Sequence, residues 1–82
     1  MNPIVVYALQ FEGGEIYVGM TGDLDRRLRE HERRQSPSTR RLAGKFTVIY
    51  HKAFPDYASA RRHEKFLKSG AGRAQLGLSI KT

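Results

Sequence analysis

The feature that most constrains the fold is an apolar segment near the start of the chain, followed by a glycine turn and a second short apolar segment. Residues 3–11, PIVVYALQF, are rich in β-branched and aromatic side chains and predict a strand buried on both faces. The turn Glu12-Gly13-Gly14-Glu15 leads to a second short strand, Ile16-Tyr17-Val18, which residues 19–22 are expected to end. Two strands joined by so short a turn form a β-hairpin, so the core is expected to be built on an antiparallel pair.

The register of this hairpin decides on which faces Tyr7 and Tyr17 lie. A two-residue turn at the glycines would place Glu12 opposite Glu15 and the two tyrosines on opposite faces. A three-residue loop would pair Phe11 with Glu15 and put both tyrosines on one face. Because the first register sets like charges directly opposite each other, we expect the three-residue loop or an equivalent bulge.

Two helices and a third strand are predicted after the hairpin. The elements are, in order, a helix from the cap Asp23 to about Arg34, a polar loop over 35–44, a strand over 46–51, a helix from the cap Asp56 to about Ser69-Gly70 with glycine as its stop, and a short helical turn over 72–78. The β-β-α-β-α order predicts an α+β fold, with a small three-stranded, mostly antiparallel sheet flanked by helices. The length of 82 residues predicts a single domain over 1–82.

The charge balance favours one kind of partner. Fifteen Lys and Arg against eight Asp and Glu give a net charge of +7, which predicts attraction to nucleic acid; a basic surface that only aids solubility is the alternative. The absence of cysteine excludes disulfides and cysteine zinc sites. No apolar run approaches the roughly 20 residues of a membrane span, and no signal-type segment begins the chain. We therefore expect a soluble cytoplasmic protein with no membrane partner.

The first predicted helix carries two kinds of arginine. Leu24 and Leu28 form its apolar stripe, and Arg27 and His31 lie within and beside that stripe. The candidates for nucleic-acid contacts are Arg26, Arg29 and Arg33 on the other side of the helix, and Arg40 and Arg41 in the loop. The alternative for the inner pair is that Arg27 extends its charge to solvent and His31 is an ordinary half-buried histidine.

For Glu64, too, a functional and a purely structural interpretation are both open, here for a negative charge. It lies at the edge of the apolar side of the second predicted helix, and it is the one acidic residue between Asp56 and the C-terminus. A carboxylate against a core requires a cation, either a basic side chain or a metal ion. A structural salt bridge to Arg61, Lys68 or Arg27 is therefore the alternative to a metal site.

Together these residues resemble the GIY-YIG endonuclease domain. The matching positions are VVY at 5–7, YVG at 17–19, Arg27, His31 and Glu64. The segments STRR at 38–41 and EKFLKSGAGR at 64–73 resemble the small stand-alone branch of that family, which is similar to the N-terminal domain of the nucleotide-excision-repair incision subunit. The resemblance covers about residues 3–76.

The resemblance implies a divalent-metal-dependent DNA endonuclease that acts in DNA repair, recombination or processing. It implies that Glu64 binds a single Mg²⁺ or Mn²⁺, that Tyr7 is the base that activates water, and that Tyr17 lines the site and helps the proton transfer. It also implies that Arg27 holds the scissile phosphate, and His31 matches a position held by His or Tyr. A tyrosine base requires a pKa below its ordinary value of about 10, which a nearby metal and arginine would provide.

The sequence departs from the family pattern at two places. Val5 stands where the first motif has glycine, and no asparagine follows Gly70, although some members carry one near the metal. We also expect no separate DNA-targeting domain, so target specificity is expected to be weak, structural or supplied by a partner protein. A non-catalytic basic nucleic-acid-binding module, which would need neither Glu64 nor Tyr7, is the alternative function.

Overall fold

The computed structural model describes residues 3–33 and 45–80. Its elements are β1 (Ile4–Phe11), β2 (Ile16–Thr21), α1 (Leu24–Glu32), β3 (Phe46–Phe54), α2 (Tyr57–Lys68) and α3 (Gly70–Ile80). The predicted α+β class and the β-β-α-β-α order are confirmed, and a third helix of 11 residues stands where a short turn was expected. The predicted loop over 35–44 lies outside the described residues.

The sheet has the strand order β2-β1-β3, and both of its strand pairs are antiparallel. The first strand is therefore central, with a neighbour on each side. Its residues Val6, Tyr7, Ala8 and Leu9 are completely buried, which confirms the prediction of a strand covered on both faces.

The hairpin adopts the predicted three-residue loop. The backbone N–H of Phe11 donates to the carbonyl of Glu15 at 2.9 Å, and Leu9 lies opposite Tyr17. Gly14 has φ of 93°, a left-handed conformation that glycine adopts at low cost. Because Tyr7 and Leu9 are two residues apart on one strand, Tyr7 and Tyr17 lie on the same face of the sheet.

Successive residues of β1 divide the core into two clusters. Val6 and Ala8 pack with Ala60 and Leu67 of α2 and with Leu76 of α3. The second cluster, on the other face, contains Tyr7, Leu9 and Phe11, with Tyr17, Leu24, Leu28, Phe46 and Val48 packed around them. The first helix therefore covers the tyrosine face of the sheet, and the last two helices cover the opposite face.

The predicted starts of the helices agree with the structure more closely than the predicted ends do. Asp23 accepts a hydrogen bond from the N–H of Arg26 at 3.1 Å, and Asp56 accepts one from the N–H of Ser59 at 2.7 Å, so both predicted caps are confirmed. The first helix ends at Glu32 instead of about residue 34.

The glycine stop predicted for the second helix is wrong. The helix is capped by Ser69 in extended backbone, and Gly70 begins α3 instead. A Cβ at Gly72 would overlap the backbone of Phe66 and Leu67, so the missing side chain lets α3 turn back closely against the end of α2. No helix in the described part of the chain is long and apolar enough to cross a membrane.

Candidate active site

Three aromatic rings from three elements meet on the tyrosine face of the sheet. The hydroxyl of Tyr7 lies 2.9 Å from Nε2 of His31, a hydrogen bond between β1 and α1. The ring centroid of Tyr17 lies 6.1 Å from that of Tyr7 and 5.2 Å from that of His31. The structure thus brings together three of the predicted site residues, and we call them the tyrosine–histidine cluster.

Gly19 makes this cluster sterically possible. It lies directly opposite Tyr7 in the β1–β2 pair, inside a strand that continues to Thr21, so the expectation that residues 19–22 break the strand is wrong. A Cβ at Gly19 would lie 2.8 Å from the Tyr7 hydroxyl oxygen and 2.8 Å from Cε2 of Tyr17. Sequence reasoning missed this role, although the three-residue register itself pairs position 7 with position 19.

The environment keeps both hydrogen-bonded partners neutral near pH 7. Burial raises the pKa of Tyr7 well above its ordinary value, which is opposite to the lowered pKa expected of a tyrosine base; Tyr17 adds to the rise, and Arg27 opposes it. Burial, helped by the charge of Arg27, lowers the pKa of His31 below its ordinary value of 6.5. The contact therefore joins a phenol to an uncharged imidazole, which has one nitrogen able to accept a proton.

Arg27 lies beside the cluster and is held there by an acidic neighbour. Its Nη1 donates to Oε1 of Glu30 at 2.8 Å, and its side chain is 26% exposed. Hydrogen bonds to Glu30, Tyr7 and Tyr17 raise the pKa of Arg27, so the guanidinium stays cationic. The sequence analysis did not single out Glu30, although its spacing of three residues from Arg27 on one helix was a usable signal.

The other arginines of α1 are separate from the cluster. Arg26, Arg29 and Arg33 are exposed, which confirms that the helix carries two kinds of arginine. Arg26 makes one long contact, 4.0 Å, to Glu30. Arg40 and Arg41 lie outside the described residues.

Glu64 lies on α2, the helix that covers the opposite face of the sheet. It exposes 9% of its surface, and its two carboxylate oxygens lie 3.3 Å from Nζ of Lys68 and 3.8 Å from Nε of Arg61. Two of the three predicted salt-bridge partners are therefore present, while Arg27 pairs with Glu30. Within residues 3–33 and 45–80, no polar contact joins Glu64 to the tyrosine–histidine cluster.

The donor chemistry of Glu64 fits a hard divalent cation. No group of three His, Cys, Asp or Glu side chains that could hold a metal occurs among the described residues. However, Mg²⁺ is commonly bound through one or two carboxylates and keeps several waters. The side chains of Arg61 and Lys68 are 50% and 53% exposed, so both can move into solvent and release the carboxylate oxygens.

The fold and the cluster define a hairpin-centred α+β domain in which two strand tyrosines meet a helix arginine and histidine, an arrangement of the GIY-YIG type. The GIY-YIG catalytic domain matches residues 3–75, and the chain belongs to this family. Such a domain implies a nucleic-acid substrate and typically a divalent metal.

Proteins of the UPF0213 group are similar to this chain. A UPF0213 protein from the VLF1-GP41 intergenic region of Autographa californica nuclear polyhedrosis virus is 38% identical over 64 residues, which are 77% of this chain and 62% of that protein. The UPF0213 protein YhbQ of Escherichia coli K12 is 26% identical over 94 residues, covering all of this chain and 94% of YhbQ. The solution NMR structure of the UPF0213 protein BH0048 from Bacillus halodurans has a TM-score of 0.58 and 33% identity, over 96% of this chain and 85% of BH0048.

Proposed function

We propose that the protein is a divalent-metal-dependent DNA endonuclease that hydrolyses phosphodiester bonds, with residues 1–82 acting as one domain. The observation that carries the proposal is the buried hydrogen bond from Tyr7 to His31, with the cationic Arg27 acting on the same tyrosine hydroxyl. The proposal includes a role in DNA repair, recombination or processing. It also includes similarity to the N-terminal domain of the excision-repair incision subunit.

Arg27 is proposed to bind the scissile phosphate. Hydrolysis places negative charge on the phosphoryl oxygens, and a cation held in position before the reaction stabilises that charge. Glu30 restricts the guanidinium by its 2.8 Å contact to Nη1, so Arg27 stays next to the tyrosines. Tyr17, whose ring contacts both other members of the cluster, completes the wall of the site.

Tyr7 and His31 are proposed to move the proton of the attacking water. As the water oxygen forms its bond to phosphorus, the water proton passes to the Tyr7 oxygen and the phenolic proton passes to Nε2 of His31. The bond to the leaving oxygen of the ester then breaks with its electron pair on that oxygen, which takes a proton from solvent, and the His31 imidazolium returns its proton to solvent. The lowered pKa of His31 agrees with this path, because only the neutral imidazole can accept the proton.

Glu64 would hold the Mg²⁺ or Mn²⁺, which when bound would supply positive charge to the phosphodiester. Glu64 is buried, and its two cationic neighbours, Arg61 and Lys68, are exposed enough to move away from it. Both observations support this assignment. Arg26, Arg29 and Arg33, together with Arg40 and Arg41, are proposed to contact the DNA backbone, and a partner protein is proposed to supply target specificity.

A non-catalytic nucleic-acid-binding module is the second candidate. It is favoured by one observation, which is that the Glu64 carboxylate has Lys68 and Arg61 as partners. In that case Glu64 would be structural, and the exposed arginines would carry the function.

A cleavage assay separates the two candidates. Supercoiled plasmid and branched DNA are incubated with Mg²⁺ or Mn²⁺ and the wild type, Glu64→Gln, or the exposed control Glu32→Gln. The endonuclease proposal expects nicking by the wild type and by Glu32→Gln, and its loss in Glu64→Gln with unchanged DNA binding. Binding by the wild type without cleavage of any substrate would contradict the endonuclease and support the binding module.

A further inference from the structure

A cleft of about 420 Å³ runs along the outer edge of β2, the edge strand of the sheet. One wall is formed by the turn and the strand, from Gly14 to Val18, and the other by Lys68, Arg73 and Leu76 at the junction of α2 and α3. Its volume lies within the range of ligand-binding sites. Tyr17 is part of its lining, so the cleft and the candidate active site share one residue.

The helical wall of this cleft carries two linked cations. Lys68 is the last residue of α2, and Nε of Arg73 donates to its carbonyl oxygen at 3.3 Å. This bond ties the Arg73 side chain to the Lys68 backbone and leaves the Nη groups of Arg73 without a partner among the described residues. A guanidinium fixed in this way is suited to two parallel hydrogen bonds with a phosphate.

One acidic side chain also lines the cleft, at its turn end. The Glu15 carboxylate lies close over Gly13, since a Cβ at Gly13 would be 2.5 Å from Glu15 Oε1. The two cations stand on the opposite wall, on helical residues far from this turn in sequence. On the helical wall, Lys68 also pairs with the Glu64 carboxylate at 3.3 Å, but its side chain is 53% exposed and can turn from Glu64 to a phosphate, while Arg73 adds a second positive charge.

We propose that Lys68 and Arg73 form a phosphate-binding subsite for a nucleic-acid strand that lies along the edge of β2. The subsite takes a backbone phosphate that neighbours the one at the tyrosine–histidine cluster, since Tyr17 belongs to both surfaces. This inference rests on the proposed function for the identity of its ligand, a phosphodiester backbone recognised by charge. It adds a binding surface beyond the arginines of α1, on the other side of Tyr17.

The dependence of DNA affinity on salt tests this subsite. Fluorescence anisotropy with a labelled single-stranded oligonucleotide, in the presence of EDTA, is measured over a series of salt concentrations. Each phosphate contact contributes about −0.7 to the slope of log binding constant against log salt for single strands and about −0.9 for duplex. We expect Lys68→Met and Arg73→Gln each to make the slope shallower by about that amount.

The matched controls are Lys65→Met and Arg62→Gln, which remove the same charges from exposed positions of α2 that do not line the cleft. If the controls change the slope as much as the cleft variants do, the cations act only through net charge and the subsite is wrong. Arg73→Lys keeps the charge, so its slope is expected to lie close to that of the wild type and not to that of Arg73→Gln. Lys68→Met keeps the test valid if Arg73→Gln fails to fold, because the Lys68 side chain is half exposed.

Failure of the subsite is distinguishable from failure of the endonuclease. Cleavage by the wild type with an unaltered slope in Lys68→Met overturns the subsite alone. A shallower slope in the cleft variants, from a wild type that cuts no DNA, supports the subsite and overturns the endonuclease.

Discussion

Two tyrosine–histidine hydrogen bonds occur among the described residues, on opposite sides of the sheet. One joins Tyr7 to His31 at 2.9 Å between β1 and α1, and the other joins Tyr50 to His63 at 2.6 Å between β3 and α2. In both pairs a strand residue meets a helix residue, and burial lowers the pKa of the histidine. The pairs contain the same groups and differ in what surrounds them.

The surroundings of the first pair place a cation at the tyrosine hydroxyl. Tyr7 is fully buried, and the charge and hydrogen bonding of Arg27 oppose the burial that raises its pKa. A second tyrosine, Tyr17, packs on the same two rings. In our account this cation is what turns a structural hydrogen bond into a reactive one.

Around the second pair, no cation among residues 3–33 and 45–80 acts on the tyrosine hydroxyl. Tyr50 is partly exposed, and burial is the cause that raises its pKa. The nearby Lys52 lies 5.5 Å from the ring centroid of Phe54 and acts on His63 instead. A tyrosine–histidine bond alone therefore does not identify a catalytic site, and substitutions in each region test how far the two regions differ.

Removing the cation is expected to have the largest effect. Arg27→Gln should reduce the rate of DNA cleavage by about 10²–10³-fold, the usual cost of losing one group that stabilises developing negative charge. Arg62→Gln, which removes an exposed arginine of α2 outside the proposed DNA contacts, is the control and should cleave at close to the wild-type rate. Similar rates for both variants, measured as plasmid nicking, would remove Arg27 from the mechanism.

Crowding the cluster is expected to have the next largest effect. Gly19→Ala would force apart the Tyr7 and Tyr17 rings and should lower the free energy of unfolding by about 1–3 kcal/mol. Gly22→Ala is the control, since the nearest heavy atom to a Cβ there is Ile4 Cδ1 at 3.9 Å. Denaturant unfolding that gives equal values for the two variants would show that the rings do not depend on Gly19.

Acid should destabilise the protein through its two shifted histidines. Because the pKa of His31 is below its unfolded value of 6.5, its contribution to stability is full above that pH and is lost as pH falls from 6.5 through the lower pKa of the folded state. Unfolding measured between pH 7 and pH 5 should therefore show a smaller pH dependence in His31→Gln, and a lesser change in the less buried His63→Gln. An unchanged pH dependence in His31→Gln would mean that His31 is not desolvated.

The smallest effect concerns the second pair. Lys52→Met should raise the pKa of His63, because the nearby positive charge is one of the two causes that lower it. The pKa of His31 should stay the same, since its neighbouring charges are Arg27 and Glu30. NMR titration of both histidines measures this, and a constant His63 pKa would leave burial as the whole cause.

Local chemistry made part of this molecule predictable. Repulsion between Glu12 and Glu15 predicted the hairpin register, and therefore the shared face of Tyr7 and Tyr17, because like charges disfavour direct pairing. Asp23 and Asp56 predicted both helix starts, because a cap needs only one side chain and the N–H groups next to it.

Features that depend on distant contacts were not predictable. Gly19 continues β2 because it pairs with Tyr7, twelve residues away in sequence. The ring of Tyr7 occupies the space that a side chain at position 19 would need. The third helix begins with glycines and lacks an amphipathic pattern, and it packs through Leu76 and the close approach at Gly72. The place of Glu64 relative to the cluster depends on how α2 packs on the sheet, which local patterns do not contain.

The central claim is that the Tyr7 hydroxyl takes part in the cleavage reaction, and that the chemically similar Tyr50 hydroxyl does not. The most direct measurement is the rate of plasmid nicking in Mg²⁺ by Tyr7→Phe and Tyr50→Phe, each of which removes one hydroxyl from a tyrosine–histidine pair. The account predicts that Tyr7→Phe loses nicking while it still binds DNA, and that Tyr50→Phe nicks like the wild type. Nicking by Tyr7→Phe at the wild-type rate, or equal loss in both variants, would contradict it.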